Sequence, residues 1–344
     1  MIYISFISGL AILVLCGDTL VRGAVALAVR FSIPMLVIGL TIVAFGTSAP
    51  ELVVSLRAAL IGAPGITIGN IIGSNIANVL LVLGIPAIIY ATNCNQPFIR
   101  RNTLFVIFAS VVFIILCFNG PLAFWHGALL FALMVVFLVD SGVRAASNEE
   151  AAKDITDDTL EFLQCSAGKC LSTKPFLIAG YMLIGLLGLP LGAYLTVEGA
   201  TGIAREFGIS EAVIGLTIVA MGTSLPELVT TVMAALRRQC GLALGNVLGS
   251  NLFNILAIMG LTSMVTPIPV PQEFLRVDLW MMLFATLIIT PFVLQRMCIS
   301  RMAGMTFVLF YAAYIYYSLD PSYATKNLKT NAVKTPIEAG LIDQ

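Results

Sequence analysis

Long apolar runs, each about the length of a bilayer span, alternate along this chain with short polar breaks. A hydrocarbon core about 30 Å thick takes about 20 residues of helix. On that measure the pattern predicts ten helices, at 3–28, 36–61, 66–91, 102–118, 122–143, 176–200, 211–236, 242–266, 277–295 and 302–319. One long polar connection, 144–175, reads RAASNEEAAKDITDDTLEFLQCSAGKCLSTKP and separates the fifth span from the sixth. The expected organisation is a five-helix half over 1–143, an acidic linker over 144–175, a second five-helix half over 176–319, and a poorly ordered polar tail over 320–344. The opening run, MIYISFISGLAILVL, is followed by no small-residue cleavage pattern, so it is expected to stay as the first span.

The two halves repeat each other. At an offset of 176, the distance from Glu51 to Glu227, the segments Ile38–Gly84 and Ile214–Gly260 share 26 identities in 47 ungapped pairs, which marks an internal duplication. An odd number of spans per copy makes the second copy enter the membrane from the other side. The expected fold class is therefore an all-α integral membrane protein with ten transmembrane helices in two inverted-topology five-helix repeats. With both termini outside, Arg30, Arg100, Arg101, Arg144, Lys174, Arg237, Arg238, Arg296 and Arg301 all fall on the cytoplasmic side. Arg205, Arg276 and the tail lysines fall outside, and Arg57 is the exception to the positive-inside rule.

Composition agrees with the pattern. Of 344 residues 59% are hydrophobic and only 10% charged, against about a quarter charged in soluble domains. Too few charges remain to cover a water-facing surface. A net charge of zero without a basic run argues against a nucleic-acid partner. The sole histidine, His126, leaves no histidine-based metal site, and the seven cysteines read as small apolar side chains. No Ser-His-Asp, Walker or Rossmann pattern is present, so neither an enzyme nor a cofactor is expected. The expected location is a membrane. The bilayer itself is the expected partner, and no obligate protein partner is inferred.

The chemistry sits in the repeated stretch. Residues 39–53 read GLTIVAFGTSAPELV and residues 215–229 read GLTIVAMGTSLPELV. Each places a glutamate, Glu51 or Glu227, in apolar surroundings where a lone charge is costly. Pro50 crowds the carbonyl four residues back, at Gly46, so a kink is expected there. Carbonyls freed at membrane depth need a partner, and a metal cation is one. Thr47 shares a helix face with Glu51, and Thr223 does the same for Glu227. A second doubled segment, GNIIGSNIANVLLVLG (69–84) and GNVLGSNLFNILAIMG (245–260), lays Asn70, Ser74 and Asn78, then Asn246, Ser250 and Asn254, along one face of an apolar helix. Only oxygen donors are on offer, which suits hard cations such as Ca²⁺ and Na⁺. The plainer alternatives are Ser, Thr and Asn as interhelical glue and the glutamates as protonated structural groups or parts of a proton relay.

The paired GTS-x-PE and GSN-x-x-N segments and the two five-span halves resemble the calcium/cation antiporter superfamily, within it the bacterial-type sodium/calcium exchangers. The resemblance runs from about residue 10 to 319. It implies a transport site for Ca²⁺ and Na⁺ in which Glu51 and Glu227 are the shared carboxylates. It implies carbonyls from Ala44 and Ala220, carbonyl or hydroxyl oxygens from Thr47 and Thr223, and side-chain oxygens from Ser48, Ser224, Ser74 and Ser250, mainly to sodium. Asn78 and Asn254 would line the middle. Several members carry an aspartate at one of these two positions; both are asparagine here, leaving two carboxylates to balance one Ca²⁺. Alternating access by sliding of the first and sixth helices is also implied. The function expected is exchange of Ca²⁺ for Na⁺, with Ca²⁺ extruded. The alternatives are a Ca²⁺/H⁺ antiporter and an uncoupled cation channel, and a role for K⁺ stays open.

Lesser charges have simple readings. Asp18 and Arg22 are four apart on the first helix and pair there, with an Arg22–Glu198 contact as the alternative. Asp140 and Arg144 form a similar pair near a helix end. The acidic residues from Glu149 to Glu161 show no EF-hand spacing and read as a solvated linker helix.

Overall fold

With no water in the bilayer core, backbone groups must bond within their own segment, so apolar runs of this length become helices. The computed structural model describes residues 2–147, 174–207 and 220–319. The acidic run of the linker, residues 208–219 with the first part of the predicted seventh span (211–219), and the tail lie outside the described residues. The helices are α1 (Ile2–Phe31), α2 (Met35–Thr47), α3 (Ala49–Leu60), α4 (Pro64–Ile89), α5 (Ile99–Phe118), α6 (Phe124–Ser147) and α7 (Pro175–Glu206). After them come α8 (Ala220–Gly222), α9 (Leu225–Leu236), α10 (Cys240–Val265), α11 (Gln272–Arg276), α12 (Asp278–Leu294) and α13 (Arg301–Leu319). Among the described residues six helices are long and apolar enough to cross a membrane, seven when the bent pair α2–α3 counts as one. The molecule is an all-α membrane protein.

The span predicted at 36–61 is this bent pair, broken by 46°. The break falls at Ser48, two residues beyond the expected Gly46, because Pro50 takes a place in the first turn of α3, where its missing N–H costs nothing. π-helical turns interrupt the α-helices at Gly39–Val43, Asn78–Val82 and Phe253–Ile258. Such turns recur at functional sites because they loosen the regular ladder of hydrogen bonds.

Helices α1 and α7 form a long antiparallel pair. Three glycines of α7 stand seven residues apart, and a Cβ added at Gly185, Gly192 or Gly199 would come to 2.8 Å of Leu20 Cα, 2.9 Å of Leu13 N or 2.7 Å of Phe6 Cα. Small residues at this spacing let two backbones pack closely where lipid supplies no hydrophobic drive between helices. With 32 residues α7 runs well past the predicted 176–200 and spans about 48 Å, more than a bilayer core needs, so it tilts or protrudes.

The centre is made by α4 and α10. The most apolar window of α10 is buried along all of its length and that of α4 along 78%, against 28% for α1. Helix α2 crosses α10 glycine against glycine, and a Cβ at Gly39 would meet Leu242 O at 2.7 Å. Two connections are clipped at each end of the molecule. Strands β1 (Thr92–Asn93) and β2 (Cys298–Ile299) pair antiparallel at one end, and Leu122 bridges Ile268 at the other. Beside β1 the Cys94 thiol is pushed up to about 12, chiefly by burial, which makes it an inert packing residue.

Candidate cation site

The two repeated junctions interlock. Ser48, at the α2–α3 break, donates its hydroxyl to Glu227 Oε1 at 3.0 Å. Ser224, just before α9, donates to Glu51 Oε1 at 3.5 Å. Each carboxylate is thus held by the serine of the other half. Both sit in the first turn of a helix, α3 or α9, where the N-terminal end of the helix favours an anion. Both are only 1% exposed.

Behind each glutamate stands an asparagine strut, made the same way in both halves. Asn70 Nδ2 donates to Glu51 O at 3.3 Å and Ser55 Oγ at 2.9 Å. Asn246 Nδ2 donates to Glu227 O at 3.3 Å and Thr231 Oγ1 at 2.9 Å. These bonds tie α3 to α4 and α9 to α10, so the first turn that carries each carboxylate is braced by a buried helix.

Several buried oxygens have no hydrogen-bond partner among the described residues: Glu51 Oε2, Glu227 Oε2, Asn78 Oδ1, Asn254 Oδ1, Ser250 Oγ and Thr223 Oγ1. Buried polar atoms are nearly always paired, so this set is the chemical signature of the region. Among the described residues neither carboxylate has an ion-pair partner, and one divalent ion or two monovalent ions would neutralise the pair. The donors are carboxylate, amide and hydroxyl oxygens, the set that hard cations take.

The other expected ligands are placed as follows. Thr47 Oγ1 is buried, 3.3 Å from Ala44 O and 3.2 Å from Asn246 Oδ1. Ala44 O also accepts Ser48 N–H at 3.0 Å. Ala220 is the first described residue of α8, and Thr223 and Ser224 follow that helix. Ser74 is buried on α4 beside Asn75. Asn78 and Asn254 both lie in π-turns.

The expected polar stripe divides in two. Asn70 turns to α3 as a strut, while Asn78 Nδ2 donates to Asn251 Oδ1 at 3.1 Å, across to the other half. Asn251 Nδ2 in turn reaches Asn75 O at 3.4 Å. Asn75 and Asn251 were not among the residues expected from sequence. Their signal was the second letter of the doubled Ser-Asn pair, identical in both halves. Asn251 takes up the donor end of the Asn78 amide; among the described residues the Asn78 oxygen has no partner, nor does either end of the Asn254 amide.

Comparison with known proteins follows the same lines. The model of the sodium/calcium exchanger protein family matches residues 1–141 and 177–319. The chain is 36% identical over 262 residues to the inner membrane protein YrbG of Escherichia coli, covering 76% of this chain and 79% of that one. It is 31% identical over 347 residues to the sodium/calcium exchanger MaX1 of Methanosarcina acetivorans, covering 91% and 97%. A solved structure of the sodium-calcium exchanger NCX_Mj, soaked with Na⁺ and Ca²⁺, superimposes with a TM-score of 0.77 at 32% identity, over 92% of this chain and 97% of that one. The chain belongs to the sodium/calcium exchanger family, membrane proteins that carry cations by antiport.

Proposed function

We propose that this protein exchanges Ca²⁺ for Na⁺ by alternating access and that extrusion of Ca²⁺ is its working direction. The observation that carries the reading is the pair of buried glutamates, each with one oxygen held by a serine of the opposite half and one oxygen unpartnered. Ca²⁺ would sit between Glu51 and Glu227 and neutralise both. Na⁺ would use the same carboxylates and spread to Ser48, Ser224, Ser74, Ser250, Thr47, Thr223 and the carbonyls of Ala44 and Ala220, with Asn78 and Asn254 lining the middle. The empty site keeps two like charges in low dielectric. Crossing unloaded is therefore disfavoured, and that penalty couples the two ions.

The architecture proposed is ten spans in two inverted halves, 1–143 and 176–319, with the N- and C-termini outside a bacterial plasma membrane. The two clips between connections support it. Residue 268 stands 176 places after 92, and 299 stands one place beyond the equivalent of 122, so the pairing of Thr92 with Ile299 and that of Leu122 with Ile268 are repeat-related. They lie at opposite ends of α5, as inverted copies require. The relatives' names support the location and the ions: one is an inner membrane protein, another a sodium/calcium exchanger.

Neutral hydroxyl and amide oxygens outnumber the carboxylates, which favours Na⁺ over H⁺ as counter-ion, since a proton needs no such shell. The test is Ca²⁺ uptake into proteoliposomes. An outward Na⁺ gradient should drive uptake at any imposed pH gradient. Uptake driven by pH alone would replace Na⁺ with H⁺, and flux with neither gradient consumed would mean a channel.

A further inference from the structure

The charged residues of α1 lie outside the cation site, yet they reach the helix that carries Glu227. Asp18 Oδ1 accepts from Arg237 Nε at 3.0 Å and from its terminal nitrogen at 2.7 Å, a two-pronged bond. Asp18 Oδ2 takes Arg22 Nε at 2.7 Å, on its own helix. Arg237 directly follows Leu236, the last residue of α9, where a cation is favoured by the helix end. Arg238 turns left-handed with φ +55° and closes that end through its N–H to Ala235 O. Glu227 lies in the first turn of α9 and Arg237 just past its last, so one rigid helix of about 15 Å connects them.

Helix α1 comes near enough for this bond because Gly17 precedes Asp18. A Cβ there would meet Val229 Cγ1 at 2.8 Å. On its other side α1 is locked to α7 by the glycine seam, so Asp18 belongs to the α1–α7 pair while Arg237 belongs to the core. Elsewhere the pair meets the site helices through non-directional apolar packing: Leu20, Val21 and Ala24 of α1 share one buried cluster with Met35, Ile38 and Ala234, and Leu186 and Val197 of α7 rest on Gly46 and Gly222. Contacts of that kind can slip, whereas a forked ion pair is either made or broken.

We infer that Asp18 is a positioning residue for transport: its fork to Arg237 fastens the α1–α7 pair to the helix of Glu227 in the conformation seen here. The inference rests on the alternating-access reading above. A slip of one element past another moves by about a helical turn, 5.4 Å, and that breaks both prongs. The fork is therefore made in one access state and lost in the other, and its strength helps set their ratio. Arg22 holds the second oxygen of Asp18 and aims the first at Arg237.

Hydrogen exchange read by mass spectrometry on the full chain in lipid nanodiscs tests this. Asp18→Asn and Arg237→Gln should each speed exchange at residues 233–239, the end of α9, and slow it at residues 61–63, the end of α3 on the opposite face. Opposite signs mark a shift between two states, which general loosening would not produce. The expected change in rate is on the order of threefold to tenfold, the range of a partly exposed charge-assisted fork. The double variant should match either single one, and Asp18→Glu should restore most of the original pattern. Changes of one sign at both ends, no change, or additive effects in the double variant would overturn the inference. This readout does not depend on which ions are carried. A wild-type protein with no Na⁺-driven Ca²⁺ flux would defeat the proposed function instead.

Discussion

Glu51 and Glu227 each present one bonded and one unbonded oxygen, and the difference lies in the serine that reaches across from the other half. The two cross-bonds are unequal in length, which makes a graded prediction. Ser48→Ala removes a 3.0 Å donor to a carboxylate, a loss of about 1–2 kcal/mol, and should raise the half-saturating Ca²⁺ concentration roughly tenfold. Ser224→Ala removes a 3.5 Å contact and should have the smaller effect, both read from initial uptake rates. Equal shifts, or none, would mean that the serines do not orient the glutamates. At this scale the sequence made the glutamates, threonines and serines legible, because a charge in an apolar run has few explanations and doubling removes most of them. It did not show which asparagines aim at the site. Asn70, Asn75 and Asn78 lie within nine residues of one helix, and only the neighbouring helices decide that Asn70 becomes a strut and Asn78 reaches across to the other half, while the Asn75 amide bonds back to Ile71 O of its own helix.

Elements were legible where periodicity or length carries the signal and illegible where distant contacts do. The span expected at 66–91 is found as Pro64–Ile89, whereas 36–61 is two helices. Its break was expected from Pro50 but fell at Ser48, since a proline settles in a new first turn more cheaply than it kinks an old one. The π-turns and the β1–β2 clip left no trace in the pattern, because one extra residue in a turn or two residues in a ladder disturb no periodicity. Asp18 with Arg22 and Asp140 with Arg144 were readable as neighbours four apart, and both form. Their further partners, Arg237 and Arg101, come from remote helices. The glycine seam of α1 and α7 makes its own prediction. Gly192→Val would place a side chain against Leu13 and should destabilise the protein by about 1–3 kcal/mol, seen as a lower midpoint of thermal unfolding in detergent. Gly180→Val, on the same helix with nothing within 4 Å, should leave the midpoint unchanged. Equal behaviour of the two would mean that the seam does not hold the pair together.

At the scale of the whole molecule, two bodies meet around one site. The core, built on α4 and α10, holds the polar groups, and the α1–α7 pair lies against it through a shared buried apolar cluster and the Asp18 fork. Both glutamates belong to the core, so under the proposed alternating access ions would bind to a fixed frame while the α1–α7 pair would set which face is open. Composition announced a membrane protein and the repeat announced two halves, but the division into these two bodies cuts across the halves, since each half gives one helix to the pair. No pattern within either half could have shown that. The central claim is that one site, charged only by Glu51 and Glu227, takes Ca²⁺ and Na⁺ in turn. Calorimetric titration of the purified full-length protein with Ca²⁺ tests it most directly. The account predicts one Ca²⁺ per chain, displaced by added Na⁺, and no Ca²⁺ binding in Glu51→Gln or Glu227→Gln variants that still purify as folded protein. Ca²⁺ binding that survives both substitutions, or that Na⁺ fails to displace, would contradict it.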